Sequence, residues 1–216
     1  MSDITLRAGD SALAPTILRI RNNETPVWLQ HRWQSGPFAA FINRNGCGHC
    51  CTAMAARLFG VDIDPHQEYA YCRTLWGEPT NDQGHWLSAA GVAKILRSLS
   101  VPAKEFGVKH NGAKKATEHI LSALRQGKAV IFTSDPQRYP DNPFSSGAHW
   151  VMAVSLEKDG TILVANSAEK FAPTGIQYVM PKEIEKALFP ESTAPPEMTW
   201  GEHNRIGEGS GYIVVG

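Results

Sequence analysis

The chain has 216 residues, 42% hydrophobic and 19% charged, so it can bury a core and is not of the disordered type. Its 21 basic residues balance 21 acidic ones, and this neutrality gives no electrostatic draw toward nucleic acid or an anionic membrane surface. No apolar run approaches the roughly 18 residues that a bilayer span needs.

The opening Met1-Ser2-Asp3-Ile4-Thr5-Leu6-Arg7 carries early charges and does not read as a secretory signal. Residues 1–25 read as a lead-in with a strand at Thr16–Arg21, followed by a short apolar entry at Val27–Gln30. Cys47–Phe59 reads as a helix that is apolar nearly all round, hence buried, with Gly60 at the C-terminal cap position. Asp64 caps a second helix, Pro65 takes its first turn and Gly77 follows its end. Ser88–Leu99 and Lys114–Gln126 are further helices, the latter closed by Gly127. The period then changes. Lys128–Thr133, His149–Leu156, Thr161–Ala165, Ile176–Met180 and Tyr212–Val215 read as strands, with a turn signal at Asp159-Gly160 between the second and third. Pro181–Leu188 is a short helix, and the polar, Pro- and Gly-rich Pro190–Gly209 is expected to wrap the surface. Helices first and antiparallel strands second predict one α+β domain over residues 1–216, with its core at about residues 27–189.

The chemistry concentrates at three places. Cys47 stands between Gly46 and Gly48 at a loop-to-helix junction, where unpaired N–H groups and the helix dipole favour a thiolate and backbone donors can hold an oxyanion. A buried structural cysteine is the plain alternative. His149 follows the loose Ser145-Ser146-Gly147-Ala148 run and opens an apolar strand. Asn166 ends the next strand. Counted outward from the turn, the two lie near the same end of the hairpin, with a mismatch that a bulge absorbs. An amide there accepts from one imidazole nitrogen and fixes the tautomer. A thiol, an imidazole and an amide in this order form a nucleophile, a base and an orienter, pointing to a cysteine peptidase or a related acyl-transfer enzyme.

The chain resembles the papain-like cysteine peptidases, most of all the bacterial group related to the bacteriocin-processing, double-glycine-leader peptidases. Gly46-Cys47-Gly48-His49-Cys50 is similar to their nucleophile motif, and Leu29-Gln30-His31-Arg32-Trp33 to their upstream glutamine segment. Gly127-Lys128-Ala129-Val130, Gly147-Ala148-His149 and Asn166-Ser167 match the later landmarks, and the likeness runs roughly from Val27 to Phe189. It implies a papain-like fold in which the nucleophile helix packs against an antiparallel β-sheet. It also implies Cys47 as nucleophile, His149 as base paired with it as an ion pair, Asn166 as orienter and Gln30 as the oxyanion-hole side chain. A peptide or protein would be the substrate, with no cofactor and no metal. His49 and Cys50 replace the family's Pro-Thr, Ser167 replaces a proline, and Phe41 stands where the leader peptidases have their glutamine. Cleavage of double-glycine leaders is therefore not implied, and Gln34 is a second candidate for the oxyanion role.

Two other readings use the same cysteines. Cys47-Gly48-His49-Cys50 matches a disulfide-isomerase motif, and Phe38–Ile42 offers a strand before it. But helices follow in series, and Gly147–Asn166 has no place in that scheme. Cys47, Cys50, Cys51, Cys72, His49 and His85 carry zinc-ligand types, without a second CxxC pair. Of the remaining groups, His49 is expected to face solvent, His85-Trp86 to enter a helix or line a pocket, and Cys50 and Cys51 to pack. Four clustered cysteines suit a reducing compartment, so the expected location is cytoplasmic, or outside the cell by a route without a cleavable signal peptide.

Overall fold

A computed structural model describes residues 4–76, 88–108, 112–134, 141–188 and 211–216. Gly77, His85, Trp86 and the Pro190–Gly209 wrap lie outside the described residues. The lead-in is more ordered than its composition suggests. It forms an antiparallel sheet of β1 (Thr5–Ser11), β2 (Ala14–Ile20) and β3 (Asn23–Val27), of which only the middle strand was legible. β2 alternates buried and open positions, so Ala14, Leu18 and Ile20 join the core while β1 stays mostly exposed.

After a 3-10 helix at Gln30–Arg32 come α1 (Ala39–Asn45) and α2 (Cys47–Arg57). The Phe38–Ile42 stretch is therefore helical, which removes the strand that a thioredoxin-type arrangement needs before its dithiol. Gly46 joins the two helices: a Cβ there would lie 2.4 Å from the Ile42 carbonyl oxygen, so any other residue would clash with the last turn of α1. α3 (Pro65–Trp76) starts on a reciprocal cap, in which Gln67 N donates to Asp64 Oδ1 and Asp64 N donates to Gln67 Oε1. α4 (Ala89–Ser98) is capped by Ser88, whose hydroxyl accepts from Gly91 N.

The second half supplies β4 (Ala103–Gly107), α5 (Ala113–Arg125), β5 (Ala129–Ser134), β6 (His149–Leu156), β7 (Ile162–Ala165), β8 (Ile176–Val179), α6 (Pro181–Ala187) and β9 (Gly211–Val215). The six strands form one antiparallel sheet in the order β4-β9-β5-β6-β7-β8. Period-two alternation sorts its side chains onto two faces. Ile131, Trp150, Met152, Leu163 and Ile213 pack with α2 and α4; Val130, Phe132, Val151, Val164 and Tyr212 pack with α5 and α6. Strands clothed on both faces explain why their sequences are nearly unbroken apolar runs rather than alternating ones. The architecture is α+β, with the helix that begins at Cys47 packed against the sheet at β6.

Candidate active site

Cys47 is the first residue of α2 and is 7% exposed. α1 brings its C-terminal end to this point and also packs on the 3-10 helix that carries Gln30. Burial pushes the thiols of Cys50 and Cys51 well up, with the neighbouring Cys47 adding to it, and Cys72 is raised for the same first reason. All four cysteines are free thiols, and Cys50 and Cys51 are packing residues with no exposed surface.

His149 opens β6 and Asn166 follows the last residue of β7. The hairpin register pairs Met152 with Ala165, and a bulge at Val154 absorbs the mismatch counted from the turn. His149 has the strand parity of Val151, and Asn166 that of Val164, the parity of the face that α5 and α6 cover, and both stand at the ends of their strands. His149 Nε2 lies 2.8 Å from Asn166 Oδ1. The direction of this bond is fixed by a chain of further bonds. Asn166 Nδ2 donates to Phe144 O at 2.9 Å and to Gln177 Oε1 at 2.8 Å, while Ala168 N donates to Asn166 Oδ1. Gln177 is itself fixed because its Nε2 donates to Pro143 O and Phe171 O. Asn166 Oδ1 therefore accepts from Nε2–H, and the lone pair of the imidazole is on Nδ1. Burial is the largest influence on His149 and lowers its pKa to about 4; the Asn166 bond opposes this and the nearby His31 adds to it.

Gln30 is 4% exposed and is bound on both sides to the residue after Asn166. Its backbone N–H donates to Ser167 O, and its Oε1 accepts from Ser167 Oγ at 3.0 Å. That leaves its Nε2 amide group as the donor. Arg32 pairs with Glu169 and holds the same two segments together. Gln34 is exposed. The structure thus brings His149, Asn166, Ser167 and Gln30 into one bonded neighbourhood, and sets Cys47 at the start of the helix packed on β6.

Three residues of this neighbourhood were not read from the sequence. Gln177 has no signal beyond being a polar residue in a short strand. Ser167 was seen only as a replacement for proline. His31, exposed on the 3-10 helix, gave no sign of acting on His149. One reading is corrected: His49 does not face solvent. It is 1% exposed and pairs with a buried glutamate, Glu68.

A helix opened by a cysteine and packed on an antiparallel sheet, with a histidine and an asparagine bonded at the strand ends, is the architecture of the papain-like cysteine peptidases. The chain belongs to the Peptidase_C39-like family, whose model matches residues 23–189. Among solved structures it is similar to a C39-like peptidase from Bacillus anthracis, at 12% identity and a TM-score of 0.48, over 79% of this chain and 88% of that one. No curated protein matches it. Membership makes it a cysteine peptidase in general character. Among the described residues no helix is long and apolar enough to cross a membrane.

Proposed function

We propose that the chain is a single-domain thiol peptidase that hydrolyses peptide or isopeptide amide bonds through Cys47, His149 and Asn166. The observation that carries this reading is the 2.8 Å bond between His149 Nε2 and Asn166 Oδ1, which leaves Nδ1 as the basic nitrogen. In the resting site burial keeps the imidazole neutral, so the resting pair is thiol and imidazole. When an amide carbonyl binds, Nδ1 takes the thiol proton as sulfur attacks the carbonyl carbon. The developing oxyanion is held by Gln30 Nε2 and by the backbone N–H groups at the start of α2. The imidazolium then gives its proton to the leaving amine. A water molecule, deprotonated by the same nitrogen, hydrolyses the thioacyl intermediate; an amine or thiol in place of water would give transfer.

Asn166 keeps the ring in one tautomer and one orientation through both steps, and Gln177 and Phe144 do the same for Asn166. The oxyanion role belongs to Gln30 rather than Gln34, because a buried amide already held at its oxygen presents its N–H₂ in a fixed direction. The thiol chemistry itself calls for no metal.

The test is covalent capture. An epoxysuccinyl electrophile or iodoacetamide near neutral pH should modify Cys47 at one equivalent per chain and abolish turnover, as read by peptide mass analysis. The motive is that Cys50, Cys51 and Cys72 are buried and their thiols held protonated. First labelling at Cys50 or Cys72 would remove Cys47 from the mechanism.

A further inference from the structure

The corrected position of His49 leads to a second cluster that the peptidase chemistry does not use. Glu68 and Cys72 lie one helical turn apart on α3, and His49 faces them from α2. The three side chains are 0–2% exposed. Their ligand atoms, His49 Nδ1, a Glu68 oxygen and Cys72 Sγ, all fall within 4.8 Å of one another. His49 Nδ1 is hydrogen-bonded to Glu68 Oε2, Cys72 Sγ donates to Glu68 Oε1 at 3.1 Å, and Sγ stands 3.9 Å from Nδ1.

From these atoms we infer that His49, Glu68 and Cys72 form a buried site for one divalent cation of the zinc class, distinct from the Cys47 site. The donor set is one imidazole nitrogen, one carboxylate and one thiolate, the mixture that suits a borderline ion such as zinc rather than magnesium or calcium. Metal–ligand lengths of about 2.0–2.3 Å at tetrahedral angles separate ligand atoms by about 3.3–3.6 Å. The sulfur contacts at 3.1 and 3.9 Å bracket that span, and the His49–Glu68 contact opens by about an ångström to admit the ion.

Charge favours the same occupant. Glu68 is wholly buried, and among the described residues its side chain is bonded to the imidazole and the thiol and to no lysine or arginine. On binding, the Cys72 thiol releases its proton to solvent. Nδ1 of a neutral ring surrenders its proton to Nε2 as the ring changes tautomer. One double positive charge then faces one carboxylate, one thiolate and one neutral imidazole, and the buried set is neutral. The fourth position is left to water. The aromatic rings around His49 screen the cluster from the nearest open space. A cavity of about 270 Å³ between α1 and α3 is walled by Phe41 and Tyr69, and both rings lie against the His49 ring, at 5.5 and 5.0 Å between centroids.

The experiment uses the full chain with Cys47→Ser, so that the nucleophile thiol cannot supply a ligand and the result does not depend on peptidase activity. Metal-free protein is titrated with Co²⁺ and Zn²⁺. One equivalent of Co²⁺ should give near-ultraviolet thiolate-to-cobalt absorption, and Zn²⁺ should displace it and raise the melting temperature by several degrees. Cys72→Ala should lose the thiolate band, and Glu68→Gln should weaken Zn²⁺ binding at least tenfold. Glu68→Gln keeps the volume and a hydrogen-bonding amide, so a folded comparison remains even where Cys72→Ala does not fold. Absence of the thiolate band in the Cys47→Ser chain, or Zn²⁺ binding unaltered in Glu68→Gln, would overturn the site. A band present only when Cys47 is intact would do the same, and would also remove Cys47 from the nucleophile role.

Discussion

His149 carries the pH behaviour of the site. Its imidazole is buried, so the folded chain holds it at a pKa of about 4 against 6.5 in the open chain. A base lowered on folding makes no difference above the unfolded pKa. As pH falls from 6.5 toward 4 the unfolded chain takes up a proton that the native site refuses, and stability drops. The full loss is about 3 kcal/mol for a shift of this size. Urea midpoints of the parent and of His149→Gln, measured between pH 7 and 4, should show the parent losing this much more than the variant. A resting thiolate–imidazolium pair would hold the ring protonated and reverse the sign. Asn166 acts one bond further out. Asn166→Ala should lower turnover by roughly 10²-fold, less than removal of the base in His149→Ala, because the ring keeps its basic nitrogen and loses only its orientation. Equal, small losses in both variants would make the two residues structural.

At the scale of elements, the turn between β7 and β8 holds Asn166 in place from behind. Asn166 N donates to Gly175 O at 2.8 Å, and Gly175 N donates to Ala172 O. Gly175 sits at φ +80°, and a Cβ there would come within 2.6 Å of Val27 Cγ1 at the end of β3. Gly175→Ala meets both a backbone penalty and a packed neighbour. It should cost about 2 kcal/mol of stability, and turnover should fall with it because the shifted carbonyl belongs to the Asn166 network. A thermal melt and a turnover assay on one preparation check both. Unchanged values would show that the turn yields without moving Asn166.

The local signals for most elements were plain. The Asp64-Pro65 start, the Gly127 stop and the Asp159-Gly160 turn are short-range chemistry, and α3, α5 and the β6–β7 hairpin follow them within a residue or so. α1 and β4 were not legible. Ala39–Asn45 is seven residues without a capping side chain, and Ala103–Gly107 carries charge where strands were expected to be apolar; neighbouring packing, not local preference, settles both.

For the whole molecule, the last strand matters more than its position in the chain suggests. The family match ends at residue 189, yet β9 lies between β4 and β5 and all five of its residues are buried. A chain ending at residue 210 loses an interior strand of the six-stranded sheet and leaves two edges unpaired. It should fail to fold cooperatively, as circular dichroism on heating would show. A truncated chain that melts at the parent temperature would place β9 outside the stabilising core.

The sequence by itself determined the class of the chain, the α+β order of its elements, and the thiol, imidazole and amide that carry the proposed chemistry. These are written in local patterns: a cysteine at a helix start, periods of 3.6 and 2, and polar residues at strand ends. Only the tertiary structure decided which atoms meet. Gln177 and Phe144 fix Asn166, Ser167 holds Gln30 and leaves Gln34 exposed, and His49 turns inward onto Glu68 and Cys72 instead of toward water. The partners in these bonds stand 11 to 137 positions apart in the chain. Periodicity reports which face of one element is buried. Which polar group on another element meets it depends on how the two pack, and that is a property of the folded chain alone.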